Sequence, residues 1–152
     1  MRFQKTVFLM ALMLLLSSFS YAAPVAGKVR SALGDVSRQK KNQSTWSTLR
    51  VGAKVFQTDK VKTGQESELV LGLPDGSIIT IEEHSEVELS ELFEENGAYK
   101  TSIDIQSGRL SIAAQKQEKK TASFSFKTGT AVAAIRGTEG VISSKPFFAG
   151  LR

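Results

Sequence analysis

At 152 residues the chain has the length of one domain, and its hydrophobic fraction of 41% is ordinary for a globular protein. It contains no cysteine, which excludes disulfides and thiolate metal sites and leaves stability to the core alone. The formal net charge is +5, of which Arg2 and Lys5 supply two; the remaining +3, with no basic motif interleaved with aromatics, gives no ground for a nucleic-acid partner.

Residues 1–22 form a region apart. Arg2 and Lys5 precede a ten-residue apolar core, Val7 to Leu16, and then a polar stretch in which Ser20 and Ala22 take the −3 and −1 places of a small-x-small cleavage site. That order is a secretory signal peptide. Its apolar core is well short of the roughly 20 residues that span a bilayer as a helix. The alternative is an uncleaved anchor, extended by Phe19 and Tyr21. No cysteine stands at the cut, which excludes a lipid-anchored form. The mature chain is therefore expected to begin at Ala23, in the periplasm or outside the cell.

From Ala23 to Phe56 short strands joined by polar turns are predicted. Val25, Val29, Val36, Leu49, Val51 and Val55 are the apolar points, punctuated by Gly27, Gly34 and Gly52. The run Arg38 to Thr45 has almost nothing to bury and reads as a solvated hairpin loop, with a basic recognition patch at Arg38, Lys40 and Lys41 as the alternative. Trp46 is expected to be partly buried with its indole N–H paired; an exposed ligand platform is the other reading.

The clearest pattern lies between Thr58 and Leu89. Leu69, Leu71 and Leu73 alternate on one side, Ile79 and Ile81 on the other, and Pro74-Asp75-Gly76 sits between them. This predicts a β-hairpin: proline presets φ, aspartate bonds the nearby backbone, and glycine takes the left-handed turn position. Such a hairpin is marginal alone and needs other strands on its apolar face. Seven glutamates follow within the fourteen residues from Glu82 to Glu95, with the single histidine, His84, among them. A solvated edge that discourages aggregation is the plainest reading. Cation binding is the alternative, although the spacing of a calcium loop is absent. A catalytic carboxylate pair is disfavoured because odd- and even-numbered acids on a strand face opposite ways.

Tyr99 to Ile105 and Leu110 to Ala114 read as a further strand pair with a turn at Ser107-Gly108. Gln115 to Thr121 has no apolar residue and reads as an exposed loop; Lys116, Lys119 and Lys120 would be its contacts with acidic glycans or head groups. Phe124 and Phe126 alternate with serines in a strand leading to the small-residue run Thr128 to Thr138. Arg136 is read as a structural clamp, with a ligand contact as the alternative.

In order, Leu49-Arg-Val-Gly52, Thr63-Gly64, Asp75-Gly76-Ser77, Ser85, Ile105-Gln-Ser-Gly108-Arg-Leu110 and Arg136-Gly137-Thr138 within Ala131 to Glu139 resemble the successive marks of a FecR domain. That is the extracytoplasmic sensor domain of iron-transport regulators and of many envelope proteins. The resemblance covers roughly Gly27 to Ile142. Gly129 and Gly140 depart from it, at places where proline and a bulky apolar residue are usual. It implies a fold class and a compartment more directly than an activity. The cytoplasmic helical region that lets such regulators restrain a sigma factor has no counterpart in the sequence, so the resemblance implies a sensor half without its transmitter. FecR-like chains also continue with strand material after R-G-T, whereas this sequence stops at Arg152; a truncated fragment with an open edge around Val132 to Ile142 is therefore one reading.

The expected architecture is an all-β domain over residues 23–152, about ten short strands rolled into a solenoid-like or sandwich arrangement, since helix-period segments are missing. The leading function is an exported, non-enzymatic module that binds or signals to another envelope protein, by strand pairing or by its loops, with self-association through an open edge as a variant. A structural protein that holds peptidoglycan or polysaccharide is the alternative. No catalytic, metal or cofactor residues are expected. Thr63, Gly64, Asp75, Gly76, Ser77, Arg136, Gly137 and Thr138 are expected to be structural.

Overall fold

The computed structural model describes residues 25–95, 98–114, 123–136 and 140–144. The leader, the 115–121 loop, Gly137, Thr138 and the 145–152 end lie outside them. The described residues form twelve strands and no helix: β1 (Val25–Leu33), β2 (Val36–Gln39), β3 (Trp46–Thr48), β4 (Lys54–Phe56), β5 (Lys60–Thr63), β6 (Glu68–Gly72), β7 (Ile78–Ile81), β8 (Glu86–Glu95), β9 (Ala98–Ala113), β10 (Ser123–Thr128), β11 (Val132–Arg136) and β12 (Gly140–Ser144). The rolled all-β architecture is as the sequence predicts: one sheet curls back on itself.

The predicted hairpin is β6 with β7, in register through Leu69↔Ile81 and Leu71↔Ile79. These four side chains are fully buried with Leu73 close behind, so one period-two face enters the core. At the tip Asp75 Oδ1 accepts from the Ser77 backbone N–H at 3.0 Å, Leu73 N–H donates to Ser77 O at 2.8 Å, and Gly76 has φ +88°.

Strand β9 joins two layers. Its first part pairs with β8 on one side and, in parallel, with β10 on the other; its last residues pair with β7 and β12. The front layer therefore runs β4-β1-β6-β7-β9-β12 and the back layer β3-β2-β5-β8-β9-β10-β11. Val29, Leu69, Leu71, Ile79, Ile81 and Leu110 of the front close on Val36, Val61, Val87, Ile103, Phe124 and Phe126 of the back to make one core. The stretch from Tyr99 to Ala114 was expected to be two strands with a turn at Ser107-Gly108. It is a single bent strand, because Gly108 at φ +98° redirects the backbone from one layer to the other without reversing it.

The chain passes between layers at β3–β4 and β4–β5, and again at four crossings that adjoin one another: Gly34-Asp35, the β5–β6 connection, the β7–β8 connection and this bend. Each of the four contains one residue with positive φ: Gly34 (+71°), Glu66 (+51°), His84 (+52°) and Gly108 (+98°). The crossings stack into a spine along one margin of the sheet.

Three further expectations differ from the structure. Arg38 belongs to β2 rather than to a solvated loop; its side chain is 15% exposed and reaches Asp59, 3% exposed, at 3.5 Å. It also donates to Lys54 O at 2.6 Å, so an apparent loop cation ties the back layer to the front. Trp46 is not partly buried core: it lies 39% exposed on the edge strand β3, with Lys62 Nζ 6.0 Å from its ring, while nearby Leu49 fills the core instead. Finally, Val132 to Ile142 is not one edge. The chain changes layer after β11, and Ile142 in β12 pairs with Leu110.

Candidate functional site

The spine gathers several of the residues singled out in the sequence. Thr63, buried at the end of β5, accepts a hydrogen bond from Ser85 N–H at 3.0 Å through Oγ1 and donates to Glu82 O at 2.6 Å. Its own N–H donates to Ser85 O at 2.9 Å. Ser85 Oγ in turn accepts from Arg109 N–H at 3.0 Å, at the bend of β9. A Cβ at Gly108 would collide with the Ser85 backbone and side chain, so the two crossings touch only because one residue there is glycine. Beside them Gly64 N–H donates to Asp35 O at 2.9 Å, and Ser67 Oγ accepts from Asp35 N–H at 2.8 Å. Layer-crossing backbone cannot use ladder hydrogen bonds, and buried donors need partners. These short hydroxyl side chains provide them.

Asp75 and Ser77 form a second buried polar group at the tip of the β6–β7 hairpin, where Ser77 Oγ donates to Asp75 Oδ2 at 2.8 Å. Arg136 is placed at the end of β11, opposite Ser123, but its side chain, like Gly137 and Thr138, lies outside the described residues. The structure thus brings Thr63, Gly64 and Ser85 together and sets Asp75-Gly76-Ser77 apart from them, at the far end of β6. Sequence reasoning missed Asp35, Ser67 and Asp59 entirely. Their only signals were a Gly-Asp dipeptide, a serine between glutamates and a Thr-Asp turn, none of which marks a long-range partner.

The acidic stretch is divided between a turn and a strand. Val87 and Leu89 are buried, and Glu86 and Glu88 lie opposite Lys62 and Lys60 of β5. Glu86 and Glu88 are half-buried, the register shifts between Glu88 and Glu91, and Glu91 is exposed, so the simple alternation of acids between faces is broken there. Glu83 accepts from Glu66 N–H at 2.8 Å, and Glu82 pairs with Arg109 at 3.5 Å. No group of three or more potential ligands is close enough to hold a metal ion among the described residues. His84 is exposed in its turn, its N–H donating to Gly64 O.

The other feature able to act on a partner is β11. It pairs with β10 on one side; among the described residues nothing pairs with its other side. Val132 is 72% exposed, and Ala133 and Ala134 are exposed too.

The described residues thus make an all-strand domain in which Thr63, Ser85, Asp75 and Ser77 lie in buried polar joints. The profile of the family described as FecR protein matches residues 59–146, more than half of the chain, and the chain belongs to that family. FecR domains are extracytoplasmic domains of sensing and signalling. The match begins at Asp59, yet β1 to β4 complete the same two layers. No curated protein and no solved structure matches the chain. Among the described residues no helix is long and apolar enough to cross a membrane.

Proposed function

We propose that the chain is an exported, non-enzymatic binding or signalling module of the cell envelope, and that it takes a strand of a partner envelope protein along the side of β11 that faces away from β10, where no described strand pairs. The observation that carries this reading is the edge itself. Val132, Ala133 and Ala134 offer an exposed, uncharged ladder of backbone donors and acceptors, and such an edge is a template for an added strand. The family's sensing and signalling role agrees with a protein partner. The family marks Thr63, Gly64, Asp75, Gly76 and Ser77 are taken as structural, since Thr63 and Gly64 bond backbone groups of neighbouring crossings and Asp75 and Ser77 bond each other in the hairpin turn. The same role is proposed for Arg136, Gly137 and Thr138.

Two experiments test this. Mass spectrometry of the envelope fraction is expected to find a chain beginning at Ala23; only intact Met1 species would remove the export reading. Envelope proteins retained by the native chain are expected to be lost with Ala134→Lys, which sets a charge in the paired ladder. Retention by both variants would overturn the edge proposal, and native self-association abolished by Ala134→Lys would put a second copy in the partner's place. The exposure of Trp46 favours one further reading, a polysaccharide or peptidoglycan contact. Trp46→Ala would then weaken sedimentation with cell-wall material.

A further inference from the structure

The outer face of the front layer carries a groove of about 670 Å3 where β4, β1 and β6 lie side by side, within the size range of small-molecule sites. Its charged lining residues are Lys28, Arg30 and Lys54, all exposed. Lys28 lies directly opposite Lys54 on one neighbour and opposite Gly72 on the other. The β1–β6 register shifts between Val29 and Ser31, so Arg30 is a bulge residue, and a Cβ on Gly72 would collide with its side chain. Glycine in a strand interior weakens the strand and often marks close approach of another group; here it makes room for the guanidinium within the groove.

The charge arrangement is the decisive contrast. On the back layer Lys60 and Lys62 face Glu88 and Glu86 across the ladder. On the front layer two lysines face each other, which is unfavourable for a sheet, and among the described residues none of the three cations makes an ion pair. Folding gains nothing from three unmatched cations around a glycine floor, whereas a multiply charged anion would satisfy them together. A guanidinium fork with two ammonium groups suits phosphate oxygens. We propose that this groove binds a phosphate-bearing ligand, carried either by a soluble or glycan-borne group or by a lipid head group. The proposal is independent of the β11 edge, which lies in the other layer.

The test is calorimetric titration of the full chain, as purified from cells, with inorganic tripolyphosphate, beside flotation with phosphatidylcholine vesicles that contain or lack phosphatidic acid. Binding should weaken with added salt, and Lys28→Glu/Lys54→Glu should reduce it at least about tenfold, as loss of two charge-assisted contacts implies. Lys40→Glu/Lys41→Glu removes the same charge from the β2–β3 loop and should bind like the native chain. Binding to tripolyphosphate assigns a soluble or glycan-borne phosphate; binding to phosphatidic acid vesicles alone assigns a lipid head group. Should the Lys28/Lys54 variant fail to fold by circular dichroism, Arg30→Gln must show the loss instead. No binding to either probe, or equal loss in the groove and loop variants, overturns the proposal.

Discussion

Thr63 shows how much a single side chain carries at the spine. Its hydroxyl accepts from one backbone N–H and donates to one carbonyl of the β7–β8 crossing; the first contact is buried and the second half-buried. Thr63→Val keeps the shape and orphans the Ser85 N–H, so we expect a loss of about 1–3 kcal/mol in urea unfolding, with the m-value unchanged. Thr101 provides the opposite case. Its Oγ1 is buried with no hydrogen-bond partner, so Thr101→Val should be neutral or stabilising by up to about 1 kcal/mol. If both variants lost the same amount, shape rather than hydrogen bonding would govern these sites. Backbone conformation adds a second comparison. Gly108→Ala meets both a left-handed φ and the Ser85 backbone, and should cost more than about 1 kcal/mol. His84→Gly relieves a left-handed non-glycine residue that costs about 1–2 kcal/mol, offset by the entropy of glycine, and should unfold at or above the native midpoint.

At the scale of elements, Arg38 and Asp59 close the margin opposite the spine. Asp59 also accepts from Phe56 N–H at 3.0 Å, which fixes the β4–β5 crossing, and Arg38 adds the link to Lys54 O. Arg38→Met should destabilise by about 3 kcal/mol, because a nearly buried carboxylate would lose its countercharge. The double change Arg38→Met/Asp59→Asn should recover part of that loss; a double variant as weak as the sum of the single changes would show that no coupling exists. This clamp also marks where sequence reasoning ends. Strands with strict alternation, such as Leu69 to Leu73 against Ile79 and Ile81, and the turn at Asp75-Gly76, were legible because their pattern is local. Arg38 looked like loop because its neighbours are polar, and nothing in a run of lysines and glutamines reports a carboxylate twenty-one residues away. Gly108 was legible as a break, but a glycine after serine marks a reversal and a bend equally well. Which one forms depends on Ser85, whose position follows from the fold as a whole.

At the scale of the molecule, the stacked crossings make each layer depend on the other. A strand of one layer continues across the spine into a strand of the other at Gly34, at Glu66, at His84 and within β9, so the two layers are tied together by the chain itself. The two inner faces share one hydrophobic cluster, in which each fully buried Leu, Ile or Phe contributes about 1.5–3 kcal/mol only while the opposite layer is present. A sheet built this way should unfold in one step, as small single domains usually do. Trp46 allows the point to be tested, because the one tryptophan lies on edge strand β3 of the back layer while far-UV circular dichroism reports all the strands. We expect tryptophan fluorescence and circular dichroism to give the same urea midpoint and the same m-value. A fluorescence transition at lower urea would show that β3 frays before the layers separate. In that case Arg38→Met should widen the gap, since it loosens β2, on which β3 rests, whereas Thr63→Val, acting at the spine, should move both transitions together.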